Sequence, residues 1–352
     1  MPVFVRSERA SPADSIQRER AGRMIEDGAA DALAPFVLRV GKSYFESSDG
    51  RALLAYRVRL GTAVVSGDPV GDSTSFQALA DEFVDFCTKQ RWRLAVLGAG
   101  EGGHRLWLPH RLSPFAIGRD VVITVDGFTM TGRRYRNLRQ AVRRSDTGGV
   151  TVRFHREGSI GHPLVTQLLD LRVRAGKTKD RGFSMLLGNL LDGTHPNAII
   201  AVARDRDGSP VAFQRYLRSG KDGLTLDLPV RDPSAPNGTD ERLVIETVRW
   251  AGAHDFRSVS LSFAPFADLY GSQPRSAGQR GSRAALRLLD PFVRVEPLYM
   301  FLRKFHALQG RRFVMLRRRQ VVRVTTTMLL LEFGAPPDEH RNTKRRFRPG
   351  QS

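Results

Sequence analysis

The chain has 352 residues, a formal net charge of +20 at pH 7 and 41 % hydrophobic residues. One core rarely organises that length, and a disordered chain is less apolar, so the composition excludes a single small domain and predicts two folded domains with a basic surface. A basic surface favours polyanionic partners, either nucleic acid or an anionic membrane face.

Residues 1–35 predict a charged, weakly amphipathic helical arm that ends at Pro35. The arm lacks the continuous apolar core of a signal peptide. The longest apolar stretches, such as 325–333, are far shorter than the ~20 residues that span a bilayer. We therefore expect a cytoplasmic protein without a transmembrane segment, either soluble or peripheral to the membrane.

Residues 36–126 predict a first α/β domain, because short β-like runs surround one helical stretch. That helix, 75–90, holds the single cysteine, Cys87, at a core position, and one cysteine excludes an internal disulfide and a cysteine-based zinc site. On its spacing alone the glycine-containing segment 61–71 is a structural turn, since loosely spaced glycines are weak evidence for phosphate binding. The predicted strands are 36–41, 44–48, 52–67 and 93–100.

Residues 127–335 predict a second, larger domain with a similar order of strands and helices. The segment 271–283 is rich in Gly, Ser and Arg and predicts a loop, and the basic tail 336–352 predicts disorder. The predicted helices are 131–145, 162–176 and 240–254, and the predicted strands are 150–155, 198–205, 210–217 and 223–230.

The helix predicted at 131–145 has one apolar face, formed by Tyr135, Leu138 and Val142. Its arginines follow one another without an intervening acid, and such a run repels itself unless an anion neutralises it. We therefore predict anion binding, although a plain solvated face is the alternative. The arginines concerned are Arg133, Arg134, Arg136, Arg139, Arg143 and Arg144.

The segment 226–243 gathers four carboxylates around a Pro-Asn-Gly-Thr turn in this basic chain. Asn237 followed three residues later by Asp240 resembles a capping box. Asp240 and Glu241 would also favour the dipole of the helix that follows. Capping therefore accounts for these acids as well as a ligand site does.

Capping does not account for Asp227, which stands inside a predicted strand. Strand alternation places it on the face opposite Leu226 and Leu228, where an acid is either solvent-facing or functional. Arg231, at the end of the strand, is a candidate partner for it. Strand ends beside a helix N-terminus commonly bind ligands, so we favour a functional role.

Two other features carry weaker signals. The cluster that contains Asp180, at 177–184, follows a helix and is equally typical of a solvated helix end. The eight histidines show no metal-ligand spacing, and no order of Ser, His and Asp or of Cys and His suggests a triad. We expect neither a metal nor covalent serine chemistry.

Six segments, taken together and in order, resemble the cytoplasmic catalytic domain of the aminoacyl-phosphatidylglycerol synthases, also known as the lysylphosphatidylglycerol synthase or multiple peptide resistance factor family. The likeness runs from about Phe36 to about Val314. The segments are 52–71, 131–144, 177–184, 208–213, 226–241 and 260–269.

The resemblance implies two tandem acetyltransferase-like (GNAT) folds packed together, with aminoacyl-tRNA entering on one side and an anionic lipid on the other. It implies an aminoacyltransferase at the inner face of the membrane, which moves an amino acid from tRNA to the headgroup hydroxyl of phosphatidylglycerol. Lysine is the first expectation, since convergent acids suit a dication. No cofactor is implied, because the aminoacyl ester already stores the activation.

By motif match, Asp227 and Arg231 fall on an Asp and an Arg of the equivalent strand. Lys304 falls in a basic motif, where it would stabilise the tetrahedral oxyanion or the lipid phosphate. These three are the predicted catalytic residues. The predicted substrate-binding residues are Asp180, Asn237, Gly238, Asp240 and Glu241, with Asp180 standing where the family usually has Glu.

The sequence departs from the family pattern at Pro229, in the run after Asp240 and at 306–313, which leaves the acceptor and the amino acid open. The flippase region and the fused lysyl-tRNA synthetase of family members are missing from the 352 residues, so we expect transfer without flipping. The first alternative is transfer to a soluble acceptor. An acyl-CoA N-acetyltransferase is disfavoured by the missing pyrophosphate loop, and a non-enzymatic nucleic-acid-binding protein gives Asp227 no use.

Overall fold

The computed structural model describes residues 12–28, 31–176, 187–265, 267 and 295–333, which form one twelve-stranded sheet with helices packed against both faces. The helices are α1 (Ser15–Asp27), α2 (Phe76–Lys89), α3 (Arg136–Thr147), α4 (His162–Arg174), α5 (Thr239–Gly252), α6 (Val295–Leu302) and α7 (Val321–Phe333). The strands are β1 (Ser43–Glu46), β2 (Ala52–Arg59), β3 (Thr62–Ser66), β4 (Val70–Gly71), β5 (Arg93–Ala99), β6 (Ser113–Thr124), β7 (Thr151–Arg156), β8 (Ile199–Arg204), β9 (Pro210–Ser219), β10 (Gly223–Arg231), β11 (Ser258–Pro265) and β12 (Leu308–Leu316).

Strands from distant parts of the chain meet at the centre of the sheet. The strand order is β1-β2-β3-β5-β12-β6-β11-β10-β9-β8-β7, with β4 beside β2. β12 pairs antiparallel with β5 and β6, and β6 pairs with β11. The two halves of the sequence therefore share one continuous sheet, and the division into domains at residue 126 stays a prediction.

Each half repeats the same order of elements. In the first half the antiparallel pair β2 and β3 is followed by α2 and by β5, which returns parallel to β3. In the second half β9 and β10 are followed by α5 and by β11, which returns parallel to β10. This repetition confirms the predicted α/β fold of two tandem acetyltransferase-like units.

In both halves the strand before the crossover helix is interrupted. β10 carries a bulge: Leu226 pairs with Tyr216 and Leu228 pairs with Arg215, so that Asp227 is the extra residue. The equivalent strand of the first half is cut into β3 and β4, which both pair with β2. An acid stands at each interruption, Asp227 in the second half and Asp68 in the first.

The predicted strand at 36–41 is wrong, because Ala34–Leu38 form a 3-10 helix with Pro35 at its start. Proline is well tolerated there, since the first helical N–H groups have no partner within the helix. Phe36 and Val37 are nonetheless buried, each in a different apolar cluster. An apolar run thus predicts burial without distinguishing a short strand from a helical turn.

Helices cover the two faces of the second half unequally. On one face α3, α5 and α6 enclose the largest apolar cluster, which includes Leu226 and Tyr216. On the other face α4 covers a smaller cluster with Phe213 and Leu228. Among the described helices none is long and apolar enough to cross a membrane. The predicted loop at 271–283 and the tail 336–352 lie outside the described residues.

Candidate functional site

β10 and β11 diverge beside the N-terminus of α5. Their parallel register covers residues 223–225 and 258–260. Beyond it the rest of β10 pairs with β9, while β11 continues beside β6. The divergence lies toward the C-terminal ends of two parallel strands, a position at which α/β proteins commonly bind ligands.

Predicted site residues hold the turn between β10 and α5. Arg231 Nη2 donates to Ala235 O at 2.8 Å and to Asn237 Oδ1 at 3.5 Å. Gly238 has φ +94°, and a Cβ at this position would collide with the carbonyl oxygen of Ala141 on α3. The predicted capping box is wrong, because the N-cap is Gly238 and Asn237 accepts from Arg231 instead.

Two predicted residues meet at the first turn of α5. Lys304 Nζ donates to Glu241 Oε1 at 2.7 Å, and their side chains are 35 % and 9 % exposed. The ammonium also lies 5.9 Å from the centre of the Phe301 ring. A partly exposed cation with a buried counter-charge, beside a helix N-terminus, can donate to an anionic oxygen of a ligand.

The arginine helix begins next to this pair. His306 Nε2 donates to Arg134 O at 3.0 Å, and its ring packs edge-on against Tyr135 with 5.3 Å between ring centres. The Arg134 guanidinium lies 4.8 Å from the centre of the Tyr135 ring. Because His306 follows Lys304 by two residues, the first arginines of the helix and the lysine form one basic surface.

The six predicted arginines fall into two groups. Arg139 is half-buried and donates to the carbonyl oxygens of Met130 and Gly132, so it holds the chain that leads into α3. The other five are exposed, and none forms an ion pair with any residue that the structure describes. They are Arg133, Arg134, Arg136, Arg143 and Arg144. The predicted apolar face is confirmed by the burial of Tyr135, Leu138 and Val142.

Buried polar side chains of β9 form hydrogen bonds that hold the first turn of α5. Gln214 donates to the backbone oxygen of Asp240 at 3.4 Å and accepts from Tyr216 OH at 2.7 Å. Burial raises the pKa of Tyr216, a hydrogen bond with Thr247 opposes the rise, and the Asp240 carboxylate adds to it. A neutral tyrosine therefore fixes the glutamine that holds the helix start.

Asp227 lies on the opposite face of the sheet, toward α4. The bulge puts Asp227 on the same face as Leu228 and opposite Leu226, so the expected alternation holds for Leu226 and is wrong for Leu228. The predicted partner is also different: Asp227 Oδ2 accepts from Arg215 Nη1 at 3.0 Å, whereas Arg231 holds the turn.

Arg215 and two carboxylates form a buried cluster. Arg215 Nε donates to Glu157 Oε2 at 2.6 Å, and the side chains of Arg215, Glu157 and Asp227 are at most 1 % exposed. Burial raises the pKa of Glu157, and the Arg215 guanidinium opposes that rise. Buried ions are tolerated only while each is paired, so these three side chains depend on one another.

The same cluster fastens residues 187–191 to the sheet. Leu187 N donates to Asp227 Oδ1, and Leu191 N donates to Glu157 Oε1, both at 2.7 Å. Asp180 lies outside the described residues, in the stretch that leads into this segment. Asp240, Glu241, Lys304 and the arginines therefore lie on the side of the sheet that α3 and α5 cover, which we call the α5 face. Asp227 lies on the opposite side of the sheet, which α4 covers.

Sequence reasoning misses Arg215 and Glu157. The available signal was a charged residue in the middle of the apolar strand 210–217, since buried arginine requires a partner. It also misses Arg312 of β12, which is 2 % exposed. Arg312 contacts Asp31 at 2.7 Å, Asp120 at 2.8 Å and Asp68 at 3.7 Å.

A cavity of about 470 Å³ lies apart from the predicted residues, between α1 and residues 194–198. Arg18, His195 and Arg218 contribute to its lining. Burial, helped by the nearby Arg215, lowers the pKa of His195 to about 4, so this histidine is neutral at neutral pH. Within the described ranges no group of three or more His, Cys, Asp or Glu is arranged to hold a metal ion.

The family described as phosphatidylglycerol lysyltransferase, C-terminal, matches residues 23–316. An MprF-like domain protein of Mycobacterium tuberculosis is 42 % identical over 322 residues, which cover 89 % of this chain and 66 % of that protein. The lysylphosphatidylglycerol biosynthesis bifunctional protein LysX of Mycobacterium ulcerans is 34 % identical over 287 residues, which cover 80 % of this chain and 25 % of LysX. The chain thus spans only part of the length of these relatives.

The solved structure of L-PGS from Bacillus licheniformis superimposes with a TM-score of 0.76 at 20 % identity, covering 94 % of this chain and 99 % of that chain. At that identity the likeness concerns the fold. The shared fold extends over almost all of both chains.

Proposed function

The chain belongs to the phosphatidylglycerol lysyltransferase C-terminal family, and we propose that it is a tRNA-dependent aminoacyltransferase. The proposed donor is aminoacyl-tRNA, with lysine as the first amino acid. The proposed acceptor is the headgroup hydroxyl of phosphatidylglycerol or a similar anionic lipid. The observation that carries the proposal is the contact between Lys304 and Glu241 at the start of α5, beside the exposed arginines of α3.

The proposed reaction is a transesterification. The lipid hydroxyl oxygen attacks the carbonyl carbon of the aminoacyl ester and forms the new ester bond. The bond to the terminal ribose oxygen of the tRNA breaks, and the hydroxyl proton ends on that ribose oxygen. The ester supplies the activation, so the step needs no ATP or CoA.

Each charged group of the α5 face has a role in this reaction. Lys304 donates to the oxyanion of the tetrahedral intermediate or to the lipid phosphate. Glu241 holds Lys304 in place, and with Asp240 it attracts the ammonium groups of the aminoacyl moiety. The exposed arginines of α3 bind the phosphates of the tRNA or the lipid.

Asp227 and Arg231 act as positioning residues in this proposal. Asp227 accepts hydrogen bonds from Arg215 and from Leu187 N on the α4 side of the sheet, so together with Glu157 it fastens residues 187–191. Arg231 shapes the turn from which α5 starts.

The test is a transfer assay with radiolabelled lysyl-tRNA and phosphatidylglycerol vesicles, followed by chromatography of the lipid extract. Lys304→Met should lower kcat by about 10²-fold, because removal of one oxyanion donor typically costs that much. Glu246→Gln is the matched control, since Glu246 lies on the same helix and pairs with Arg249 at 2.9 Å. Both variants should give a normal circular dichroism spectrum.

Normal turnover by Lys304→Met would remove this lysine from the site. Label that appears only in a water-soluble product would favour a soluble acceptor. Label that enters lipid only after acetyl-CoA or ATP is added would exclude the proposed transfer.

A further inference from the structure

The outer face of α7 carries apolar side chains at positions where a surface helix usually carries charges. Val322 is 82 % exposed and Leu329 is 49 % exposed. The inner face is also apolar, because Val324 and Met328 are buried against β3 and β12. In a helix that is apolar on both sides, the outer face exposes apolar area to water that a partner or a membrane usually covers.

Val322 and Leu329 lie on the same face of α7. Val322 and Leu329 are seven residues apart, or two helical turns, and the uncharged Thr325 and Thr326 stand between them. Leu60, which is 60 % exposed, lines a groove of about 520 Å³ with the first turn of α7. These apolar residues therefore belong to one surface.

Arginines lie beside the Val322 end of this apolar face. The residues that line the groove include no acid. Arg318, Arg319 and Arg323 are exposed and form no ion pair with the described residues, and the Arg93 guanidinium in the same groove donates to the carbonyl oxygen of Leu60. A basic rim around exposed aliphatic side chains is complementary to a bilayer that contains anionic phospholipid.

We propose that this surface, the α7 face, docks on an anionic bilayer, with Val322, Leu329 and Leu60 in the interfacial region and the arginines on lipid phosphates. This inference deepens the proposed function, because it names the surface that binds the membrane. It rests on the proposed function only in that a lipid acceptor gives the protein a reason to bind a membrane. An RNA partner would neutralise the arginines but would leave the aliphatic residues exposed to water. The bilayer accounts for both features.

The experiment is flotation of the full chain with vesicles made of equal parts phosphatidylglycerol and phosphatidylcholine, without tRNA. The double variant Val322→Glu/Leu329→Glu should lower the protein's vesicle–water partition coefficient by at least about tenfold. It removes aliphatic side chains that would be buried in the bilayer and adds carboxylates that anionic lipid repels. Arg318→Ala/Arg319→Ala should lower it by about fivefold per arginine. Vesicles of phosphatidylcholine alone should bind the wild-type chain weakly.

The matched control is Leu169→Glu/Val173→Glu, because Leu169 and Val173 are 39 % and 63 % exposed on α4 and this double exchange also lowers the net charge by two. Wild-type chain that does not float, or a double variant that floats as well as wild type, overturns the proposal. Loss of tRNA binding without loss of flotation would identify an RNA surface instead. A change of oligomeric mass in the double variant with unchanged flotation would identify a contact between copies.

The readout separates this inference from the proposed function. Flotation needs no substrate turnover. A chain that floats through α7 but shows no transfer would therefore support the docking proposal and contradict the proposed function. A chain that transfers lysine to lipid in detergent micelles, but whose α7 variants float normally, would support the proposed function and contradict the docking proposal.

Discussion

Each half of the sheet buries one arginine beside the acid of an interrupted strand, but the two clusters carry different charges. Arg215 faces two carboxylates and Arg312 faces three. One guanidinium cannot balance three carboxylates. Burial, together with the neighbouring Asp31, raises the pKa of Asp68 to about 7, although Arg312 opposes the rise.

The clusters also differ in their access to water. The carboxylates beside Arg215 are 1 % exposed, whereas those beside Arg312 are 14 % to 29 % exposed. The second-half cluster is therefore closed to water, and it fastens residues 187–191. The first-half cluster can exchange a proton near neutral pH while it joins β12 to the first half. Both interruptions thus have a buried arginine beside the acid, supplied by β9 in the second half and by β12 in the first, and the two arginines face different numbers of carboxylates.

The largest contrast is expected in stability when each arginine is replaced by methionine. Arg215→Met removes the buried guanidinium that pairs with both Glu157 and Asp227, so the free energy of unfolding should fall by about 3–5 kcal/mol. Arg312→Met should cost less, about 1–3 kcal/mol, because its carboxylates reach water and Asp68 takes up a proton readily. Urea unfolding followed by circular dichroism measures both values. Equal losses, or a larger loss for Arg312→Met, would contradict the comparison.

A smaller contrast is expected in the pH dependence of stability. The folded pKa of Asp68, about 7, lies above its ordinary value of 3.8, so between these values the folded state binds a proton that the unfolded state releases. The stabilisation from Asp68 is thus fully present below about pH 4 and is lost as pH rises through 7, with a total on the order of 4 kcal/mol.

Asp68→Asn should remove that part of the pH slope and should not destabilise the protein at pH 8. Glu157→Gln should instead destabilise it at pH 8 by about 1–2 kcal/mol, since it removes one of the two charges that pair Arg215. Urea midpoints measured from pH 5 to pH 8 distinguish the two responses. An unchanged slope in Asp68→Asn would show that Asp68 does not titrate in this range.

The parts of the fold with local signals could be predicted from the sequence. The helix α2 and the strands β8, β9 and β10 follow apolar patterns bounded by turn residues. The pairing of β12 with β6 could not be predicted, because the two strands lie about 190 residues apart in the sequence and pairing over that distance leaves no local pattern.

The candidate site was predicted in part. Glu241 and Lys304 were named, Glu241 from its place in a helix first turn and Lys304 from the family motif, and the structure brings them together. The environment of Asp227 was not predicted, because one bulge residue changes which face a side chain joins and brings it to Arg215. Alternation is a rule for regular strands, and sites tend to lie where strands are irregular.

The smallest contrast concerns activity and separates positioning from catalysis at Asp227. Asp227→Asn keeps an acceptor for Leu187 N but weakens the ion pair with Arg215, so residues 187–191 should shift and kcat should fall about tenfold. Asp68→Asn, in the other cluster, should change kcat by less than about twofold at pH 7, because Asp68 contacts Arg312 and Gly100 whereas Lys304 contacts Glu241. Transfer assays over pH 6 to 9, with amide exchange at Leu187, provide the two readouts. A positioning role predicts faster exchange and an unchanged pH profile in Asp227→Asn, whereas a general base predicts loss of the acidic limb with unchanged exchange.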